Sequence, residues 1–190
     1  MSDSVATREM LITAAIDRIE TVGFNGFSFR DLASELGIAG PSVHYHFPTK
    51  ADLGVAVIAR LKTEGIAAYA DLEQRFPQIG ARWRARFAHL CDLAKRPERM
   101  CAFGSLLSDY GQVPEPMQVA LAEGEAWLRA THTRWLDEGR RRGELSFPGS
   151  PEAMAGLIAC VLHGLLMHHR AQRSLPVEPV TEQLLRLINA

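Results

Sequence analysis

The sequence has little cysteine, no excess of either charge and no long hydrophobic run. Its three cysteines, Cys91, Cys101 and Cys160, contain no Cys-x-x-Cys spacing. A disulfide framework and a four-cysteine zinc site are therefore not expected, and a reducing cytoplasm is the default compartment. Lys and Arg total 21 against 22 Asp and Glu, a net charge of −1, so no global field advertises a nucleic acid or a membrane. The most apolar stretch, Ala153 to Met167, is interrupted by His163. It is shorter than the roughly 20 residues that cross a bilayer. Met1-Ser2-Asp3-Ser4 lacks the basic-then-apolar pattern of a signal peptide. Sustained apolar–polar alternation is missing too, so no strands are expected, and an isolated Asn25-Gly26 has no alternating flanks to make a hairpin of. No His-Glu-x-x-His helix, phosphate loop or Cys/His/Asp constellation supplies an active site, so catalysis and a cofactor are not expected. No metal site is expected either: His163, His168 and His169 do not converge on one helix face.

What is present is a chain of 190 residues, 47% hydrophobic and 23% charged, enough to bury a core without staples. Its dominant period is 3.6. Ile12, Ala15, Ile16, Ile19 and Val22 stripe a first helix closed by Gly23. Ser28 three before Asp31, and Thr49 three before Asp52, are capping-box spacings that open two further helices. Between them a short helix spans about Pro41 to Phe47. Leu53, Val57, Leu61, Gly65, Ala68 and Leu72 mark the inner face of a long fourth helix that Pro77 breaks. Trp83, Phe87, Leu90 and Ala94 stripe a fifth, ending before Pro97. A short helix follows, about Ala102 to Tyr110. The next carries Met117, Leu121, Gly124, Leu128, Thr131 and Trp135 inward. Ser150-Pro151-Glu152 starts another, running to about Arg173. A last one after Pro179 presents Val180, Leu184, Leu187 and Ile188. The expected fold is all-α with about nine helices. A three-helix module at residues 1–50 precedes a helical domain at 51–190, the two joined through the long fourth helix.

Residues 28–47 carry the most information. A short helix, a turn led by Gly37 and a second short helix form a helix-turn-helix. Leu32, Ala33, Leu36, Ile38 and Val43 lock the pair, and Gly37 supplies the left-handed backbone the turn favours. This geometry offers the N-terminal residues of the second helix to a DNA major groove. The stretch from Thr7 to Leu53 resembles the tetracycline-repressor-like (TetR/AcrR) family of bacterial transcription regulators. The matching pieces are Gly23-Phe24, Ser28-Phe29-Arg30-Asp31-Leu32-Ala33, Leu36-Gly37-Ile38 and Ser42-Val43-His44-Tyr45-His46-Phe47, with Lys50 and Leu53 beyond. The family usually has tyrosine where this chain has His44.

The resemblance implies that Arg30 and the segment Gly40, Pro41, Ser42, His44 and Tyr45 meet the groove, with His46 and Lys50 on phosphates. Arg30 suits a guanine, Ser42 either base edge and Pro41 a thymine methyl. Lys50 at a helix N-terminus suits a phosphate. Against this stands a local charge deficit: residues 1–50 hold Arg8, Arg18, Arg30 and Lys50 but also Asp3, Glu9, Asp17, Glu20, Asp31 and Glu35. A basic footprint is the rule for a DNA binder, so acids are expected on the far face.

The resemblance further implies a homodimer that binds a double-stranded palindromic operator, acts most often as a repressor and is released by a small apolar or aromatic effector. The helix from Pro151 is apolar on too many faces for one core, and Gly156 and Gly164 permit close approach. Leu157, Val161, Leu165, Leu184 and Ile188 are therefore expected at a four-helix dimer interface. Effector-site candidates are Trp83, Phe87, Phe103, Met117 and Trp127 as apolar walls, with Cys101, Tyr110 and His163 as polar groups. Cys101, at the start of a short helix and downstream of Lys95, Arg96 and Arg99, has the surroundings of a reactive thiolate. That makes a cysteine-based electrophile or redox sensor the alternative reading. A helical thiol enzyme using Cys101 and His163 is a remote one.

Overall fold

The computed structural model describes residues 2–96, 98–172 and 176–189, and every regular element among them is helical. In chain order these are α1 (Ser2–Val22), α2 (Phe29–Leu36), α3 (Gly40–His46), α4 (Lys50–Arg75), α5 (Ile79–Ala94), α6 (Ala102–Ser108), α7 (Glu115–Arg141), α8 (Pro151–Gln172) and α9 (Val177–Leu187). Pro97 and Arg173, near which the sequence pattern ends two helices, lie outside the described residues. The chain groups into two compact units, residues 1–64 with 100–124, and residues 65–99 with 125–190. This grouping by packing follows a different line from a boundary at residue 50, because α4 and α7 each contribute one half to either unit.

In the first unit α1 buries Leu11, Ile12, Ala15 and Ile19 against Leu32, Val43, Leu53 and Leu106. Val22, at the end of the predicted stripe, is exposed. The helix stops there, and Gly23 turns the chain at φ +81°. Asn25-Gly26 falls in a single 3₁₀ turn rather than a hairpin. The last carbonyls of α1, which lack partners within the helix, are met from the segment around α6. Met100 N donates to Glu20 O at 2.8 Å and Ser105 Oγ to Ile19 O at 3.1 Å. Gly54 lets α4 and α7 approach closely: a Cβ there would stand 2.3 Å from the Met117 sulfur.

In the second unit Trp83, Phe87, Trp135, Ile158, Leu162, Leu184 and Ile188 form one core. α5 packs on α8 and α9, and those two pack on each other. The buried guanidinium of Arg82 donates from Nε to Phe76 O at 2.8 Å and lies 3.6 Å from Glu138. α9 begins two residues before Pro179, which sits in its first turn, where a missing N–H costs nothing. α8 runs for 22 residues, well beyond the apolar stretch at its centre. By length and hydropathy alone it is sufficient to cross a bilayer. Here Met154, Ala155, Ile158, Leu162 and Leu165 face the core.

Candidate nucleic-acid interface and ligand region

α2 is built to hold its place. Ser28 Oγ accepts from Asp31 N while the Asp31 carboxylate accepts from Ser28 N at 2.7 Å, a complete capping box. These bonds hold the Asp31 carboxyl below its ordinary value. Gly37 ends α2 at φ +64°, and Ile38 N returns to Ala33 O at 3.0 Å. The following three residues set α3, with Pro41 in its first turn and Val43 fully buried. Leu32 and Ala33 are buried beside it, so the angle between the two helices is fixed by packing.

With Val43 pointing inward, the remaining side chains of α3 turn out. Gly40, Pro41, His44 and Tyr45 are exposed, Ser42 and His46 half-exposed, and Arg30 is exposed at the start of α2. Tyr45 is 77% exposed, the most open large hydrophobic residue among the described ones. His44 is steadied by an edge contact with Phe29, ring centroids 5.1 Å apart, and Tyr45 by a similar contact with His46. A side chain at Gly40 would meet nothing within 4 Å, so no packing within the protein requires glycine there.

α3 itself contains no acid, and three acids of this module are engaged within the protein. Glu35 pairs with Arg18 at 2.7 Å, Glu9 with Arg60 at 2.5 Å, and Asp31 is held in its capping box. Lys50 is placed differently from a projecting phosphate grip. Its ammonium donates to the Phe24 and Phe27 carbonyls and lies over both rings, 4.6 and 4.3 Å from their centroids. Burial lowers its pKa. Lys50 thus ties the loop between α1 and α2 to the start of α4, with two of its three donor directions used.

Comparison with known proteins agrees with this geometry. The family model described as "Bacterial regulatory proteins, tetR family" matches residues 11–57, from α1 through the first turns of α4. The transcriptional regulator AcuR of Cereibacter sphaeroides is 25% identical over 186 residues, covering 94% of this chain and 82% of that protein. Residues 11–57 thus form the DNA-binding module of TetR-type bacterial regulators. A TetR-family regulator from Agrobacterium tumefaciens has the same fold, with a TM-score of 0.93 at 24% identity, covering 98% of this chain and all of that one. The reduced form of NemR from Escherichia coli shares it too, with a TM-score of 0.85 at 22% identity over 96% of this chain and 97% of that one. A helix-turn-helix DNA-binding transcription regulator is thus the level at which its function is established.

Beyond this module the effector candidates divide between the two units. In the first, Met117 is buried against Gly54, Phe103 lies half-buried beside Gly124, and Cys101 is half-buried at the cap position of α6. Tyr110 is 42% exposed. In the second, Trp83 and Phe87 are buried with ring centroids 5.5 Å apart. Trp127 is half-buried on Tyr69, and His163 is half-buried on α8. The dimer candidates divide as well. Leu157 is 45% exposed and Val161 half-exposed, whereas Leu165, Leu184 and Ile188 are filled into the protomer's own core.

Three residues with unusual surroundings escape a reading by periodicity. Tyr69, not Ala68, is the buried member of that turn of α4. His132 on α7 is 1% exposed, with Nε2 2.7 Å from Tyr69 Oη. Burial, reinforced by the positive charge of Arg86, pushes the His132 pKa down to about 3. Arg86 Nε in turn donates to Tyr69 Oη at 2.9 Å. The available signal was spacing: residue 132 lies one turn from Leu128 and Trp135 on the inward stripe of α7.

Proposed function

We propose that the chain is a dimeric, ligand-responsive regulator, acting as a repressor, that binds a palindromic DNA operator and releases it on binding a small effector. The observation that carries DNA reading is the outward face of α3, free of acid, with Arg30 beside it and an exposed aromatic side chain at Tyr45. On this reading residues 1–50 are the DNA-binding domain and residues 51–190 serve effector binding and dimerisation. Arg30, Ser42, His44 and Tyr45 face the groove and Pro41 a thymine methyl. His46 and the remaining donor of Lys50 meet phosphates. Gly40 keeps backbone close to the duplex, which explains a glycine where the protein itself leaves open space.

One helix-turn-helix buries little DNA, and two related by a twofold axis read half-sites one turn apart. The proposed dimer face is the outer side of α8. Leu157, Cys160 and Met167 are exposed there, and Gly156 and Gly164 have nothing within 4 Å of a would-be Cβ. Leu165, Leu184 and Ile188 support that face from beneath. Release is a population shift: the effector prefers the conformation that does not fit the operator. A second reading, electrophile or oxidant sensing, rests on the half-buried Cys101 thiol at the cap of α6.

Selection of bound genomic fragments by the purified protein, followed by footprinting, tests DNA reading directly. A protected palindrome is expected. Tyr45→Ala and Arg30→Ala should each weaken binding about ten-fold or more. Gly40→Leu should abolish it while the melting temperature stays within a few degrees of wild type. With no acid on α3 and few cations beside it, the dimer should release counterions equivalent to about six phosphates or fewer, a log–log salt slope no steeper than about −5. Failure of a folded dimer to enrich any fragment would remove operator binding by the ligand-free protein. For the second reading, Cys101→Ser that still responds to reactive carbonyls like wild type removes the thiol.

A further inference from the structure

The core of the second unit contains a polar chain that ends in donors without acceptors. Arg86 Nε donates to Tyr69 Oη at 2.9 Å, and Tyr69 Oη lies 2.7 Å from His132 Nε2. Passing the tyrosine proton to Nε2 satisfies both contacts and leaves the ring proton of a neutral His132 on Nδ1. The His132 ring lies beside Trp83, centroids 5.0 Å apart, and Trp83 and Arg86 are one turn apart on α5. Trp83 Nε1, Arg86 Nη1 and His132 Nδ1 are all buried and find no hydrogen-bond partner among the described residues.

Buried polar groups are nearly always paired, and each exception calls for a cause. Neighbours in this same core show that the fold pairs such groups elsewhere. Trp135 Nε1 donates to Glu73 at 2.6 Å, and Arg82 has Glu138 and the Phe76 carbonyl. No carboxylate among the described residues pairs with the guanidinium of Arg86. The cluster therefore combines three unfilled donors with one uncompensated positive charge, inside walls of tryptophan and tyrosine.

We infer that Trp83, Arg86 and His132 form a recognition site for the carboxylate of a small organic acid, positioned by Tyr69. A carboxylate only accepts hydrogen bonds, offers two oxygens with about four lone-pair directions, and brings the missing negative charge. An apolar body of aromatic or short aliphatic kind suits the rings of Trp83, Trp127 and Phe87. The inference gives the effector of the reading above its chemical class, and it rests on that reading only for the regulatory consequence.

Trp83, Trp127 and Trp135 are the only tryptophans in the sequence, so intrinsic emission reports on this cluster directly. The test titrates benzoate, propionate and hexanoate, with benzamide as the neutral counterpart of benzoate. A saturable change with a carboxylate and none with benzamide is expected. Arg86→Gln should weaken it at least ten-fold and Trp83→Phe several-fold, both checked for helicity and melting temperature. If Arg86→Gln does not fold, Trp83→Phe and the benzoate–benzamide pair decide. No saturable response to any of the three acids overturns the site, as does equal binding of benzamide or undiminished binding by the variants. Operator affinity measured on the selected DNA separates the two readings. Carboxylate binding with unchanged DNA affinity keeps the site and removes the effector role. Release of DNA by another ligand class, with no carboxylate bound, does the reverse.

Discussion

Single residues show where spacing informs and where it misleads. Tyr69 and Ala68 differ by one position, about 100° around a helix, and that offset decides which of them enters the core. An apolar stripe identifies a face but treats a histidine or arginine on it as an interruption. His132 and Arg86 were therefore invisible as a pair until the fold joined them through Tyr69. A histidine buried as a neutral ring has a definite consequence for stability. Its folded pKa of about 3 lies below the ordinary 6.5, so the unfolded chain takes up a proton that the folded one refuses. Stability is unaffected above roughly pH 6.5 and falls as the pH drops below it, by up to about 1.4 kcal/mol per unit. Denaturant unfolding near pH 7 and near pH 5 should show a loss of about 2 kcal/mol from this group. His132→Gln, which keeps an acceptor for Tyr69, should remove that component of the slope. An unchanged slope in the variant would mean that His132 titrates normally in the fold.

Helices were the most legible level, because their ends are written in side chains. Ser28 with Asp31, Thr49 with Asp52 and Ser150 ahead of Pro151 each mark a start, and each makes the expected bond to a first-turn N–H. The left-handed Gly37 marks the stop between α2 and α3. Burial could not be placed as surely at helix ends: Val22 continues the α1 stripe in sequence but has left the core. Lys50 was legible as a cation at a helix start, yet its tie to the Phe24 and Phe27 carbonyls needed the loop's path. The α2 cap offers a measurement at this scale. Ser28→Ala removes the acceptor for Asp31 N and should destabilise the protein by about 1 kcal/mol. Because α2 sets the angle of α3, operator affinity should fall with it, although Ser28 is not among the residues proposed to face DNA. Loss of stability with full operator affinity would show that α3 is held without the cap.

For the whole molecule the question is which apolar surface the chain buries in its own core and which it leaves for the second copy proposed above. α8 is apolar nearly all round, and a sequence stripe cannot divide it. The fold does: Leu165, with Leu184 and Ile188 on the last segment, is consumed by the second unit's own core, while Leu157 remains 45% exposed. Two substitutions on this one helix should therefore fail in different ways. Leu165→Ala leaves a cavity in a packed core and should cost about 2–4 kcal/mol of folding stability. Leu157→Glu removes little from the protomer's core but places a charge where a partner helix is proposed to pack. A buried unpaired carboxylate is costly enough to separate the subunits. That variant should keep its helicity and melting behaviour as a monomer, sediment at half the wild-type mass and lose palindrome affinity by about a hundred-fold or more. Its contact with a single half-site should persist weakly, since α3 and Arg30 are untouched. If Leu157→Glu stays dimeric at micromolar concentration, the interface lies elsewhere, and the exposed stripe on α8 needs another occupant.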